Sequence, residues 1–299
     1  LNIIVGYDGR LSSPILEKNL NEGLLNAGAN VTRIRVCTSP MLYFASERLR
    51  ADGAIMITGS HNPSNYNGLK ILTKEGGYFG KEILSLIKTK IDKPLLGKLH
   101  NFNISNNYIS ELVDKISFDK KNLSVVWDSG NGSTGNILKK LVKHIPGKHF
   151  LINSNVDGTF PSHHPDPTEE KNLIDIKKSI KKNKADIGIA FDGDGDRIGV
   201  LDAEGNFISG DKLLLVYAID ILKTKPNSKI IADVKASNII FETINNLGGE
   251  AIMCKTGHSF IKAKMKETKA LLAGEMSGHI FIADDYYGFD DALYASVRL

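Results

Sequence analysis

Residues 1–57 read LNIIVGYDGRLSSPILEKNLNEGLLNAGANVTRIRVCTSPMLYFASERLRADGAIMI. Three apolar runs in this stretch are predicted to be strands: Ile3–Val5, Val31–Val36 and Ala54–Ile57. Ser13 offers an N-cap with Pro14 at the first helical position, and a second helix is predicted over 40–50. Two helices between three strands indicate a parallel sheet that is covered on both faces.

The same strand–helix alternation restarts twice further along the chain. A polar stretch over 100–107 is expected to separate the first unit from the second, and the pattern begins again near Gly210. We therefore predict three α/β units of ordinary domain size. Their expected bounds are 1–103, 104–207 and 208–299.

The composition is that of an ordinary globular protein. Of the 299 residues, 41% are apolar and 24% are charged, and the formal charge is only +4. Because no basic run with interleaved aromatic residues is present, we expect no nucleic-acid partner. We expect no membrane span either, since no apolar run approaches about 18 residues. Two distant cysteines, Cys37 and Cys254, offer neither a disulfide framework nor a zinc site. This usage predicts a cytoplasmic protein.

An unusual loop follows the third predicted strand. It reads Thr58-Gly59-Ser60-His61-Asn62-Pro63, in which Gly59 permits a tight turn and Pro63 restricts the exit. In open α/β sheets, ligands bind at the carboxyl ends of strands. Ser60 is therefore a candidate nucleophile, with Lys70 as its proton carrier or as a phosphate contact. A polar turn without chemistry is the alternative interpretation of this loop.

A second loop carries three carboxylates. Asp192, Asp194 and Asp196 alternate with glycines and precede Arg197. Like charges that converge are costly unless a cation neutralises them, and oxygen ligands without His or Cys select Mg²⁺ or Ca²⁺. An EF-hand is excluded, because positions six and twelve from Asp192 hold Arg197 and Ala203 instead of glycine and glutamate. The loop predicts a metal site, with an acidic turn as the alternative.

The third loop, Gly274–His279, lies between two predicted strands. Its Glu275, Ser277 and His279 could hydrogen-bond several sugar hydroxyls, although a plain hairpin turn has the same pattern.

A further stretch, 130–135, matches G-x-G-x-x-G between a strand and a helix, which is typical of a dinucleotide site. The nearest acid, Asp157, does not lie at a strand end. An oxidoreductase is therefore a rival hypothesis, and close helix–sheet packing is the structural explanation of the glycines.

Together the three loops resemble those of the α-D-phosphohexomutase superfamily, in the same order and over almost all of the chain. They are most similar to its phosphomannomutase/phosphoglucomutase branch. The segments at 5–10, 68–70, 233–235 and 255–258 also resemble segments of that family. The resemblance implies three α/β/α domains with mixed, mostly parallel sheets and an active site in the cleft between them.

The resemblance further implies a reversible exchange of hexose 1-phosphate and hexose 6-phosphate through a phosphoserine and a hexose 1,6-bisphosphate. Mg²⁺, a phosphosugar substrate and a monomeric full-length protein are implied with it. The family's roles fall on the following residues. The implied catalytic residues are Ser60, Lys70, Arg10 and His258; the implied substrate contacts are Arg197, Lys235, His258, Glu275, Ser277 and His279; the implied metal ligands are Ser60, Asp192, Asp194 and Asp196.

The sequence departs from the family pattern at both ends. The family's N-terminal segment and its fourth domain, which holds a phosphate loop, have no counterpart here. We therefore expect a fragment with reduced turnover, whose apolar stripe at Leu293 and Val297 is exposed and favours self-association. An impaired phosphosugar- or metal-binding chain is the alternative to an active mutase, and a phosphoglucosamine mutase is a further alternative.

Overall fold

Three sheets follow one another along the chain, as the repeated strand–helix pattern predicted. The computed structural model describes residues 1–74, 76–78, 83–84, 96–114, 116 and 122–299. The strands of the first sheet are β1 (Asn2–Tyr7), β2 (Asn30–Val36), β3 (Gly53–Ile57), β4 (Leu69–Thr73), β5 (Gly76–Tyr78) and β6 (Leu99–Asn101). The second sheet contains β7 (Ser124–Asp128), β8 (Lys148–Ile152), β9 (Ile187–Phe191), β10 (Ile198–Leu201) and β11 (Phe207–Ile208). The third contains β12 (Lys229–Asp233), β13 (Glu250–Cys254), β14 (Leu272–Gly274) and β15 (Ile280–Ile282).

Helices connect these strands and cover the sheets. They are α1 (Ser13–Asn26), α2 (Ser39–Arg48), α3 (Ser105–Val113), α4 (Thr134–Leu141), α5 (Ile174–Asn183), α6 (Gly210–Thr224), α7 (Asn238–Asn246), α8 (His258–Thr268) and α9 (Ala292–Arg298). A short 3-10 helix, Glu170–Leu173, precedes α5. The first helix begins at the predicted Ser13–Pro14 pair, and Gly28 beyond its end has a φ of 82°, which glycine adopts without strain. Thr38 caps α2 by accepting a hydrogen bond from the Met41 amide at 3.2 Å.

Each of the three sheets has the same type of strand connection, and this connection carries the candidate site residues. Their strand orders are β5-β4-β3-β1-β2-β6, β11-β10-β9-β7-β8 and β13-β12-β14-β15. In each sheet a parallel strand is followed by an antiparallel neighbour: β3 by β4, β9 by β10, and β14 by β15. The loops that join these pairs are the Ser60 loop, the Asp192–Arg197 loop and the Glu275–His279 loop. All three therefore leave the carboxyl end of a parallel strand, as the fold class predicted.

The largest hydrophobic cluster extends through all three sheets and includes the last helix. Leu293 is fully buried and Val297 is 7% exposed, and α9 packs against α3, β10 and β15. The expectation of an exposed, self-associating stripe is therefore wrong. Amphipathic spacing identified the apolar face correctly, but only the fold shows that other elements already cover it. No helix in the described ranges combines the length and the apolar character of a membrane span.

Candidate active site

Ser60 lies on a loop whose backbone is held under strain. Its φ of 47° is in the left-handed region, which a residue with a side chain rarely adopts. The loop is tied down by the buried carboxylate of Asp8, which accepts hydrogen bonds from the Thr58 hydroxyl at 2.9 Å and from the Gly59 amide at 3.2 Å. The Thr58 hydroxyl in turn accepts from the Ser60 amide at 2.8 Å. Strain of this kind, maintained by surrounding bonds, is typical of functional sites.

Arg10 supports this loop from behind. Its Nε pairs with Asp8 at 3.0 Å, and its two terminal nitrogens donate to four carbonyl oxygens of the loop. Those carbonyls belong to Ser60, Asn62, Pro63 and Tyr66. The side chain is completely buried, so its donors are used within the protein. The resemblance implied a catalytic role for Arg10. In the structure its guanidinium group supports the loop that carries Ser60, which we call the nucleophile loop (residues 58–66).

The Asp192–Arg197 loop brings its three carboxylates together. One oxygen from each of Asp192, Asp194 and Asp196 lies within 4.8 Å of the others, and all three residues are buried. Oδ1 of Asp192 organises the turn by accepting from the amides of residues 195, 196 and 197. Oδ1 of Asp194 and Oδ1 of Asp196 are buried without a hydrogen-bond partner in the described ranges. These unpaired oxygens fit the hard-ligand set that Mg²⁺ prefers.

The hydroxyl of Ser60 meets this carboxylate cluster directly. It donates to Oδ2 of Asp192 at 2.8 Å and lies 3.3 Å from Nδ1 of His61. The approach requires a glycine in the second loop, because a Cβ on Gly193 would lie 2.5 Å from the Ser60 carbonyl oxygen. The nucleophile candidate of the first sheet and the metal candidate of the second therefore form one site.

Lys70 joins the same cluster from β4. Its Nζ lies 2.6 Å from Oδ2 of Asp194 and 2.5 Å from Oδ2 of Asp196. Burial opposes the charge of Lys70, but the two carboxylates raise its pKa well above the usual value. For Asp192 the effect of burial has the opposite sign: burial raises the pKa of this carboxyl well above its usual range, and the neighbouring carboxylates add to the rise. The sequence did not identify Ser39, whose hydroxyl donates to Asp194 at 2.6 Å.

The glycine-rich stretch at 130–135, which resembled a dinucleotide site, packs against the Asp192–Arg197 loop. The amide and the hydroxyl of Ser133 both donate to the carbonyl of Gly193, at 3.0 and 3.1 Å. A Cβ on Gly132 would lie 2.8 Å from that carbonyl, and one on Gly135 would lie 2.3 Å from the Ser154 carbonyl. Protein backbone therefore occupies the space beside these glycines, which supports the packing explanation over the oxidoreductase hypothesis.

The third loop, Gly274–His279, approaches the Asp192–Arg197 loop through His279. Nε2 of His279 accepts a hydrogen bond from Nε of Arg197 at 3.1 Å. Glu275 is buried beside it, and its carboxylate accepts from the Gly257 amide at 2.5 Å. Burial raises the pKa of Glu275. The three loops thus converge from three sheets, at one junction between them.

The remaining predicted residues differ in exposure. Burial lowers the pKa of His258 to about 4, which keeps the imidazole neutral near pH 7. Lys70 and His258 both line a cavity of about 920 Å³ between the first unit and α8. Lys235 is exposed, and Ser277 is half-buried.

Sequence reasoning did not identify Asp8, Ser39 or Asp290. Each is buried and has a side-chain oxygen within 3.1 Å of a polar atom of a predicted site residue. Asp8 lies in the segment 5–10, which carried part of the resemblance. An acidic residue beside Gly9 in that segment could have identified Asp8 as a candidate site residue. For Ser39 and Asp290 the sequence offers no comparable signal, since their partners are 155 and 11 residues away (194 − 39 and 290 − 279).

Comparison with known families matches nearly the whole chain. Three models, described as alpha/beta/alpha domains I, II and III of phosphoglucomutase/phosphomannomutase, match residues 1–96, 106–205 and 209–299. A crystal structure of a phosphoglucomutase/phosphomannomutase family protein from Burkholderia thailandensis is 38% identical, with a TM-score of 0.94. That likeness covers 99% of this chain and 67% of the Burkholderia chain.

Curated relatives carry matching names. A phosphomannomutase/phosphoglucomutase of Pseudomonas putida is 43% identical over 300 residues, which are 99% of this chain. A phosphoglucomutase of Neisseria meningitidis is 43% identical over 304 residues. The chain spans 65% of the length of each of these two relatives. On the three domain models, the Burkholderia structure and the convergence of the three loops, this chain belongs to the phosphoglucomutase/phosphomannomutase family.

Proposed function

We propose that this chain carries the phosphoserine, the metal ligands and the sugar-binding loop of an enzyme that interconverts hexose 1-phosphates and hexose 6-phosphates. The observation that carries the proposal is the 2.8 Å hydrogen bond from the Ser60 hydroxyl to Asp192, made from a strained backbone. It places the only serine of the Thr58–Pro63 loop against the carboxylate cluster. The names of the relatives support mannose and glucose phosphates as substrates.

The proposed reaction has two balanced steps. In the first, the P–O bond to phosphorylated Ser60 breaks and a P–O bond to the free hydroxyl of a hexose monophosphate forms. The sugar hydroxyl gives its proton to a base, and an acid supplies a proton to the serine oxygen. The products are a hexose 1,6-bisphosphate and unmodified Ser60. In the second, the serine hydroxyl gives its proton to a base and forms a P–O bond to the other phosphoryl group of the bisphosphate. The P–O bond to the sugar breaks, and an acid protonates the sugar oxygen. The hexose leaves with its phosphate on the other carbon.

The metal ligands proposed for this chain are Asp192, Asp194, Asp196 and the phosphorylated Ser60. Mg²⁺ held there would offset the charge on the phosphoryl group in transfer. Because the carboxylates of Asp194 and Asp196 hold Lys70 charged, the lysine suits proton donation or contact with a phosphate oxygen. His258 has a lowered pKa and is neutral near pH 7, so it suits proton acceptance.

The remaining substrate contacts are proposed from the positions of the residues on their loops. Arg197 lies on the metal loop and is proposed to bind a substrate phosphate, as bidentate guanidinium groups do. Glu275 and Ser277 are proposed to hold sugar hydroxyls, and the exposed Lys235 is proposed as a further substrate contact. His279 is proposed to act through Arg197, because its Nε2 already accepts from Nε of that residue. Because the sugar must present C1 and C6 in turn, the same groups would meet different hydroxyls in the two steps.

The test is phosphoryl loading of the protein. The chain is incubated with Mg²⁺ and glucose 1,6-bisphosphate, and intact mass is recorded. We expect one phosphoryl increment, which peptide mapping assigns to Ser60. Ser60→Ala should abolish the increment, and Ser64→Ala, an exposed serine four residues away, should retain it. An increment of normal size in Ser60→Ala would refute the proposal.

A coupled mutase assay separates turnover from binding alone. Mannose 1-phosphate and glucose 1-phosphate are compared with glucosamine 1-phosphate on the same protein. Loading of Ser60 without turnover of any sugar would favour the alternative of an impaired phosphosugar- and metal-binding chain. Turnover of the glucosamine phosphate alone would favour a phosphoglucosamine mutase.

A further inference from the structure

Asp290 is a buried acid at the junction of the three sheets that the proposed reaction does not use. It is completely buried between β15 and α9. Its Oδ1 accepts from Nζ of Lys262 at 2.7 Å. Its Oδ2 lies 3.1 Å from Nδ1 of His279 and 3.9 Å from Nδ1 of His258. One carboxylate therefore contacts two imidazoles that the family resemblance places in the active site.

The other side of His279 fixes which nitrogen carries its proton. Nε2 of this ring lies 3.1 Å from Nε of Arg197. A guanidinium group can only donate hydrogen bonds, so Nε2 must offer its lone pair. In the neutral ring the proton is then on Nδ1, which is the nitrogen that faces Asp290. The two contacts of the ring thus require the same tautomer.

Asp290 is better placed to hold that proton than the other nearby acid. Oδ1 of Asp196 lies 3.8 Å from Nδ1 of His279, and Lys70 pairs with the other oxygen of Asp196. Asp290 is 0.7 Å closer (3.8 − 3.1). It is also anchored, because Lys262 holds its second oxygen and lies 4.5 Å from the ring centre of Tyr43. Within the described ranges, neither Nδ1 of His279 nor Oδ2 of Asp290 has a well-aligned hydrogen bond to another group. Each atom is therefore available to pair with the other.

We propose that Asp290 is a positioning residue, which orients the ring of His279 and keeps its proton on Nδ1 so that the Nε2 lone pair faces Arg197. The consequence reaches the metal loop, since Arg197 follows Asp196 directly. If the proton moved to Nε2, an N–H group would face the N–H of Arg197, and the guanidinium would be pushed from its place. This proposal rests on the proposed function for its effect on catalysis, but not for the tautomer itself.

The tautomer can be measured without any activity. The eight histidines are labelled with ¹⁵N, and two-bond ¹H–¹⁵N spectra are recorded at about pH 8.5, well above the ordinary imidazole pKa of about 6.5. His279→Asn identifies the signals of that ring. We expect the Nδ1–H tautomer in the unmodified protein, and a shift toward Nε2–H in Asp290→Asn. Asp285→Asn, an exposed acid five residues away, should leave the spectrum unchanged.

The second measurement is the rate at which glucose 1,6-bisphosphate loads Ser60. Asp290→Asn should slow loading at least about tenfold at saturating bisphosphate, with a much smaller change in the concentration for half-saturation. Asp290→Glu, which keeps the carboxylate, should recover part of the rate. An Nε2–H tautomer in the unmodified protein would overturn the proposal even if Asp290→Asn failed to fold. Normal loading by a folded Asp290→Asn would overturn it as well.

The two hypotheses fail in different ways. Loss of the Nδ1–H tautomer in Asp290→Asn, in a protein that never loads phosphate at Ser60, would support the positioning contact and refute the proposed function. Loading at Ser60 with an unchanged tautomer in Asp290→Asn would support the function and refute the contact.

Discussion

Nζ of Lys70 lies 2.6 Å from Oδ2 of Asp194, so a lysine from the first sheet neutralises a carboxylate of the second. Asp194 is among the carboxylates that the proposed Mg²⁺ site requires. The ammonium group and a metal ion held there would be attracted to the same carboxylates and would repel each other. This relationship makes Mg²⁺ binding and the position of Lys70 interdependent.

Replacement of Lys70 by methionine tests this interdependence. Lys70→Met keeps the length of the side chain and removes its charge, so we expect Mg²⁺ to bind at least about tenfold more tightly. Loading of Ser60 should nevertheless be slower, because the proposed proton carrier is lost. Isothermal titration calorimetry gives the Mg²⁺ affinity, and intact mass against time gives the loading rate. Lys74→Met is the control, since that exposed lysine pairs with Asp52 outside the site. Weaker Mg²⁺ binding by Lys70→Met would contradict the prediction.

Gly193 is predicted to be intolerant of a side chain. A Cβ there would lie 2.5 Å from the Ser60 carbonyl oxygen, so Gly193→Ala must push the nucleophile loop away from the metal loop. We expect a loss of about 1–3 kcal/mol in the free energy of unfolding and a much larger loss in loading rate. Urea unfolding and intact mass measure the two effects. Gly23→Ala, on a helix with nothing within 4 Å of the added carbon, should leave loading unchanged. Normal loading by Gly193→Ala would show that the loops need not be this close.

Arg10 is predicted to contribute to stability through the loop that it supports. Arg10→Met leaves the carboxylate of Asp8 and four loop carbonyls without their donor. Because unpaired buried charges are costly, we expect a loss of about 3–5 kcal/mol in the free energy of unfolding. Urea unfolding of the variant measures this loss. Arg48→Met, at an exposed position of α2, should change stability little. A small effect of Arg10→Met would instead favour the catalytic role that the family resemblance implied for Arg10.

Asp291 predicts a pH dependence of stability. It accepts hydrogen bonds from the hydroxyls of Tyr108 and Tyr286, at 2.9 and 2.7 Å, and burial raises its pKa to about 6. The folded protein therefore retains a proton that the unfolded chain releases near pH 4. Stability must fall as the pH rises from about 4 to about 6, by on the order of 3 kcal/mol for this group.

The measurement compares the unmodified protein with Asp291→Asn. Free energies of unfolding are determined in urea at several pH values between about 4 and 7, and one curve is subtracted from the other. We expect the difference to move in favour of Asp291→Asn as the pH rises, because the amide has no proton to lose. Parallel curves would mean that Asp291 has an ordinary pKa despite its burial.

The fold and the order of the site loops were predictable from the sequence because both depend on local patterns. Apolar runs of strand length alternate with helical periodicity, and each special loop follows such a run, as at Ala54–Ile57 before Ser60. The carboxyl ends of parallel strands lie at one edge of a sheet, so strand order alone indicates where these loops lie. The residue types then limit the chemistry, since carboxylates that converge are costly unless a cation neutralises them.

Contacts between sheets could not be predicted in this way. The pairs Lys70–Asp194, Arg197–His279 and His279–Asp290 depend on how the domains pack, and sequence spacing carries no information about that packing. The same limit explains the wrong expectation for Leu293, whose apolar face is buried by α3, β10 and β15. Local sequence determined the strands, the helices and the chemical groups of each loop. Tertiary structure decided which groups meet, because burial and charge pairing between distant segments are set only when the three sheets close around one junction.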